Sequence, residues 1–325
     1  MRFINKCLFL IGEVMATRKP RKSPPSETKE KENVVIPRYF LLGNWEKRLE
    51  ECVAGRPSTE GRDFATENAI RIQEHVSFRK SLRVVFNLGG YALLNYLRSG
   101  DYQNIYEQPT IAGKQRTPST TRMDADSLVG LLPAVAYYFC ALATGGTGIR
   151  YYGEYCAAIK PTEYGTLIEK VLDRNSYDLL TKPLSTYLGE MHSRGKGLNL
   201  IEGLMSRPND GSVQQMLAAK VLQRTPDSPR LLSAGAVANA ILSDEDYCEA
   251  YHRGKITLDS LEEIREHPAD VSREGEILQR LEGGEPIRCE ELVWACRRRL
   301  IRDKLRSCGI PRSMAVESGR SGRWE

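Results

Sequence analysis

Long apolar runs are missing from this 325-residue chain. Apart from the N-terminal segment, no stretch approaches the roughly 18 apolar residues that a membrane helix needs. Paired thiols are missing too. The eight cysteines stand at 7, 52, 140, 156, 248, 289, 296 and 308. None forms a Cys-x-x-Cys pair, and Cys289, Cys296 and Cys308 lack zinc spacing. Scattered thiols such as Cys140 in "YYFCAL" and Cys156 in "EYCAAI" predict buried small residues in a reducing, cytoplasmic setting. The four histidines, His75, His192, His252 and His267, are far apart and have no carboxylate or cysteine at ligand spacing, so no metal is expected. No Gly-x-Ser-x-Gly elbow occurs. "LGG" and "ATGGTG" lack the strand–helix context of a phosphate loop and read as helix stops. No internal repeat is present.

What is present suits a globular protein: 41% hydrophobic and 27% charged residues, with a net charge of only +5. The positive excess is patchy, concentrated in "RKPRK" and "RRRLIRDKLR", and argues weakly for an acidic partner. The opening "MRFINKCLFLIGEVM" imitates a signal peptide, but Glu13 ends its short apolar run. Met15 is an alternative start. Residues 16–33 hold only Pro, Ser, Lys, Glu and similar residues, so residues 1–35 are expected to form a disordered basic tail.

Residues 36–145 predict a helical region. "NWEKRLEECVAG" is expected to be a helix. "DFATENAIRIQEHVSFRKSLRVVFNLGGYALLNYLRSG" reads as mostly helical with a break at Gly89-Gly90. "DYQNIYEQP" reads as a short helix, 109–122 as a polar loop, and "DADSLVGLLPAVAYYFCALATGG" as one or two buried helices. The texture then changes. "GIRYYGEYCAAIKP" alternates at the strand period, with Ile149, Tyr151, Tyr155, Ala157 and Ile159 on one face and Arg150, Tyr152, Glu154 and Cys156 on the other. "GTLIEKVLDRNSYDLL" and "DYCEAYHRG" supply two further strands within a core assigned to 146–270. Between them, "SVQQMLAAKVLQ" and "RLLSAGAVANAIL" fall in helical or loop material. "LDSLEEIREH" reads as a helix opening at Asp259. Residues 271–310 should be C-terminal helices and 311–325 a loose tail. Helices, strands and helices in this order make the class α+β.

Three strand segments in sequence, "GIRYYGEYCAAIK", "TLIEKVLDRNSYDLL" and "DYCEAYHRGKITLDSLEEI", resemble the ADP-ribosyltransferases of the arginine–serine–glutamate class, above all their bacterial toxin and effector members. The likeness covers about residues 145–267. The resemblance implies a small split antiparallel sheet and NAD as substrate. It also implies transfer of ADP-ribose to a protein or nucleic-acid acceptor with release of nicotinamide. Glu249 would stabilise the cationic ribose and Ser176 would orient that carboxylate. Arg150 would hold the phosphates, with Tyr152, Tyr247, Tyr251 and His252 lining the dinucleotide. The chemistry is reasonable, because cleaving a glycosidic bond builds positive charge that a fixed carboxylate offsets.

The sequence also departs from the pattern. Tyr247 stands where arginine-modifying members carry a second Glu or Gln, the Ser-Thr-Ser run is absent from the middle strand, and "AYHRG" replaces "AQxHG". Plain readings stand beside the functional ones. Arg150 and Glu154 suit exposed strand positions, Asn175-Ser176 suits a turn, and one charge on an edge strand is ordinary. The stripe Arg297, Arg298, Arg299, Arg302 and Arg306 reads as a solvated helix face or as a surface for nucleic acid or an acidic protein. The alternative to an enzyme is a helical interaction or regulatory protein with a degenerate site.

Overall fold

The structure, a computed structural model, describes residues 45–54, 64–76, 80–104, 120–129, 136–164, 167–180, 205–206, 211–225, 231–243 and 246–315. The basic tail, the Met15 start and most of "DYQNIYEQP" lie outside the described residues. In chain order the elements are α1 (Trp45–Ala54), α2 (Phe64–His75), β1 (Arg83–Leu88), α3 (Gly90–Ser99), α4 (Thr120–Leu128), β2 (Tyr137–Ala143), β3 (Tyr155–Ile159), β4 (Ile168–Leu172) and β5 (Met205–Ser206). Then follow α5 (Ser212–Arg224), α6 (Ala234–Ile241), β6 (Glu249–Arg253), β7 (Leu261–Glu266), α7 (Pro268–Glu282), α8 (Cys289–Ser307) and β8 (Arg312–Met314). The class is α+β, as expected.

The sheet differs from the small split sheet expected. It is a single eight-stranded sheet in the order β5-β4-β6-β2-β1-β3-β7-β8. Its pairs are antiparallel except β7 with β8, which is parallel. β1 and β2 come from the segment expected to be helical, and they occupy the middle of the sheet. β2 is buried at six of its seven positions and β1 at four of its six, with Val84, Val85 and Phe86 buried in succession. A strand covered on both faces reads as an unbroken apolar run, which sequence periodicity does not separate from a buried helix. β1 and β2 therefore share one sheet with the strands of the 146–270 core.

"LEEIRE" is also a strand rather than a helix: β7 pairs with β3 from Tyr155↔Glu266 to Ile159↔Leu261. Helix propensity differs by only tenths of a kcal/mol per residue among Leu, Glu, Ile and Arg, and the open edge of β3 outweighs it. Conversely, the predicted strand across 149–159 starts late. Arg150–Tyr152 is a turn of 3-10 helix, and only Tyr155–Ile159 pairs in the sheet. Gly153 permits this geometry, because a Cβ there would stand 2.1 Å from the Leu88 carbonyl carbon. Gly90 opens α3 after Gly89, so the break expected at this pair holds. Arg312–Met314 forms β8 within the segment expected to be a loose tail.

α8 corrects the reading of its arginine stripe. Its buried positions are Ala295, Arg298, Ile301 and Leu305, so one arginine lies on the inward face. Arg298 Nε bonds Glu274 Oε2 at 2.9 Å and its Nη2 bonds Glu266. Arg302 also pairs with Glu274, and Arg297 pairs with Glu154 at 3.6 Å. Glu154 in turn accepts the Trp294 indole N–H at 2.7 Å. For these three arginines the acidic partner lies within the chain, and Arg299 and Arg306 remain exposed. Buried charges persist only when paired in this way.

Candidate functional site

Strand alternation sets which side chains meet. The β2–β6 register places Phe139 opposite Tyr251 and Ala141 opposite Glu249, with Tyr138 opposite His252 and Cys140 opposite Ala250. Glu249 and Tyr251 therefore share a face with Phe139. His252 lies on the opposite face, its ring edge-on to Tyr138 at 6.3 Å between centroids and its Nδ1 3.1 Å from the Gly254 carbonyl oxygen. The expected role of His252 beside a dinucleotide does not fit this orientation, because adjacent strand residues point to opposite sides.

Glu249 is 2% exposed. Its Oε2 accepts a 2.7 Å hydrogen bond from the Tyr251 hydroxyl. Its Oε1 lies 3.7 Å from Nη1 of Arg122, which projects from α4. Arg122 also pairs with Asp126, one helical turn on, at 2.6 Å. The Arg122 guanidinium lies over the Phe139 ring, 3.6 Å from its centroid, and 5.4 Å from the Tyr177 ring. Burial works against its charge, but Glu249 and Asp126 outweigh that and hold the guanidinium above the ordinary arginine range. The same carboxylate acts on the phenols. Burial first, then the charge of Glu249 and its hydrogen bond, push Tyr251 well above an ordinary tyrosine. Burial and Glu249 likewise raise Tyr247.

Tyr152 joins this group from the 3-10 turn. Its hydroxyl stands 3.1 Å from that of Tyr247, and the two rings are perpendicular at 6.5 Å. Tyr151 and Tyr152 are about half exposed and lie edge to face at 5.2 Å. Ser176 arrives by way of β4. The Glu249 N–H donates to the Arg174 carbonyl at 3.3 Å, two residues before Ser176. The Ser176 side chain is fully buried, and its hydroxyl has no hydrogen-bond partner among the described residues. Asn175 Oδ1 accepts the Tyr177 N–H at 3.1 Å, so the turn reading of Asn175-Ser176 also holds. Beside it Asp173, Arg174, Asp178, Lys220 and Asp246 form a second charged group.

Arg150 behaves otherwise. It is buried, and its guanidinium makes two bonds to Asp270 in the first turn of α7, at 2.9 and 2.7 Å. Its exposed-strand reading fails, and its charge is committed to anchoring α7. Glu154, bound to Trp294, is equally not a free surface residue.

Glu249, Tyr251, Tyr247 and Tyr152 thus come together, Ser176 lies two residues beyond the Arg174 carbonyl that the Glu249 N–H meets, and Arg150 and His252 are engaged elsewhere. Sequence reading misses Arg122, Phe139 and Tyr177. Only the Arg-x-x-x-Asp spacing of Arg122 and Asp126 is visible in the sequence, and nothing in it points to Glu249. Among the described residues no group of three or more His, Cys, Asp or Glu side chains is placed to hold a metal, and no helix is long and apolar enough to cross a membrane. A cavity of about 270 Å³ lies away from this group, between α2 and α6, lined by residues such as Asn68, Ile72 and Leu232. No family model, curated protein or solved structure matches the chain.

Proposed function

We propose that the chain is an ADP-ribosyltransferase-like enzyme that takes NAD as substrate, with Glu249 as its central carboxylate. The observation that carries this reading is the setting of Glu249. It is a buried carboxylate on a mid-sheet strand, oriented by a tyrosine hydroxyl and facing aromatic rings and a cation. In the proposed reaction the bond from ribose C1′ to the nicotinamide nitrogen breaks and its electron pair leaves with nicotinamide. A nucleophile on a protein or nucleic-acid acceptor then bonds to C1′ and releases its proton. Glu249 offsets the charge that builds on the ribose, since a desolvated carboxylate acts strongly at close range. Ser176, whose buried hydroxyl lacks a partner among the described residues, has capacity to bond a ligand or the carboxylate. The half-exposed Tyr151 and Tyr152 offer rings on which a planar heterocycle stacks.

A second reading, an interaction protein with a degenerate site, draws on Arg150. The arginine expected to hold the phosphates is paired twice with Asp270. Nicotinamide release from NAD by the purified chain, beside Glu249→Gln, separates the two. Release that disappears in the variant supports the enzyme. Absence of release with every acceptor class tried, from a folded chain, supports the interaction protein.

A further inference from the structure

The Arg122 guanidinium sits in surroundings suited to a cation from outside. It stacks on Phe139 at 3.6 Å, stands 5.4 Å from Tyr177, and faces two buried carboxylates, Glu249 and Asp126. Aromatic faces with a desolvated carboxylate are the general means by which proteins hold organic cations. The contact with Glu249 is not that of an optimised structural pair. At 3.7 Å it lies beyond hydrogen-bonding distance, whereas Arg122 pairs with Asp126 of its own helix at 2.6 Å and Arg150 and Arg298 bond their carboxylates at 2.7–2.9 Å. The close bond to Glu249 comes instead from Tyr251 on its own strand. That bond leaves Oε1 turned to the guanidinium and not bonded to it.

We infer that the space around Glu249 and Phe139 is a binding site for a planar organic cation, and that Arg122 of α4 occupies it as an intramolecular stand-in. This deepens the proposed function, on which it rests for the identity of the natural ligand, since the nicotinamide ring of NAD is a pyridinium. Entry of that ring requires the guanidinium to withdraw from Phe139. α4 packs on the 3-10 turn Ser176–Leu180, so the withdrawal also reaches the segment that carries Ser176. Arg122 is therefore an internal competitor of the ligand rather than a clamp on its phosphates.

The two roles predict opposite signs. Removing a competitor strengthens cation binding, and removing a clamp weakens it. The test is thermal unfolding of wild type and Arg122→Ala with methylguanidinium or 1-methylnicotinamide, each at millimolar concentration, and with neutral nicotinamide as control. The expected result is a rise of about 2–4 °C for the variant with either cation. No rise is expected for wild type, for neutral nicotinamide, or for Arg122→Ala combined with Glu249→Gln. Equal response of wild type and variant, or no response of either, overturns the inference. If Arg122→Ala alone does not fold, Arg122→Ala with Asp126→Asn carries the same comparison, and absence of cation-dependent recovery in both overturns it. Turnover is not part of this readout. Cation rescue without nicotinamide release from any variant leaves the site standing and removes the transferase reading, and release without rescue does the reverse.

Discussion

Tyr251 and Glu249, two residues apart on one strand, are joined by a 2.7 Å hydrogen bond from phenol to carboxylate, and both side chains are buried. Burial and the neighbouring charge keep this phenol protonated well above the ordinary tyrosine range, so it remains a donor at every working pH. In an alkaline titration followed by tyrosine absorbance, Tyr251→Phe is expected to remove no ionising amplitude until the chain unfolds. The same variant leaves Glu249 Oε2 without its donor and should cost about 1–3 kcal/mol in denaturant unfolding. Adding Glu249→Gln should recover part of that loss, because the pair is coupled.

Asp178, in the turn that follows Ser176, gives a pH signature. Burial pushes its carboxyl up to about 6, against the pull of Arg174 and Lys220 and with reinforcement from Asp246. A raised pKa means that the folded state holds the proton more tightly than the unfolded chain. The contribution to stability is fully present below the ordinary aspartate value of about 4 and is lost as pH rises through about 6. Asp178→Asn should therefore gain on wild type as pH rises across that window, by roughly 1–3 kcal/mol at neutral pH. Denaturant midpoints over a pH series measure it, and parallel curves for the two proteins would contradict it.

Arg298 is 1% exposed and pairs with Glu266 and Glu274, which are equally buried. Arg298→Met leaves Glu266 without its closest counter-ion and Glu274 with Arg302 alone, and should cost about 3–5 kcal/mol. Replacing all three residues with apolar ones of similar volume should restore much of the loss. A triple variant as unstable as the single one would show that packing, and not charge pairing, dominates here.

Two glycines should respond in opposite senses. Gly153→Ala forces a Cβ to within 2.1 Å of Leu88 backbone, so the turn bearing Arg150 and Tyr152 must shift. A lowered melting temperature and loss of the Tyr152–Tyr247 contact are expected. Gly275 lies inside α7, where an added Cβ would meet nothing within 4 Å among the described residues. Gly275→Ala should gain about 0.4–1 kcal/mol in denaturant unfolding.

The sequence by itself determined the α+β class, the β4 and β6 segments, the Gly89-Gly90 break and the grouping of Tyr247, Glu249 and Tyr251. Period-2 alternation and turn residues are local signals that survive without tertiary information. Tertiary structure decided the rest. β1 and β2 are covered on both faces, and that erases the alternation by which a strand is recognised. "LEEIRE" became β7 because β3 offered it an open edge. Arg297, Arg298 and Arg302 turned inward because Glu154, Glu266 and Glu274 wait there. Two of these partners, Glu154 and Glu266, lie on segments whose local pattern reads as strand and helix respectively and folds otherwise. At the site, Arg122 reaches Glu249 across 127 positions of chain, and Arg150 is drawn off by Asp270, 120 positions away. Pairings at such separations depend on how helices dock on a sheet, and no local pattern of residues encodes that.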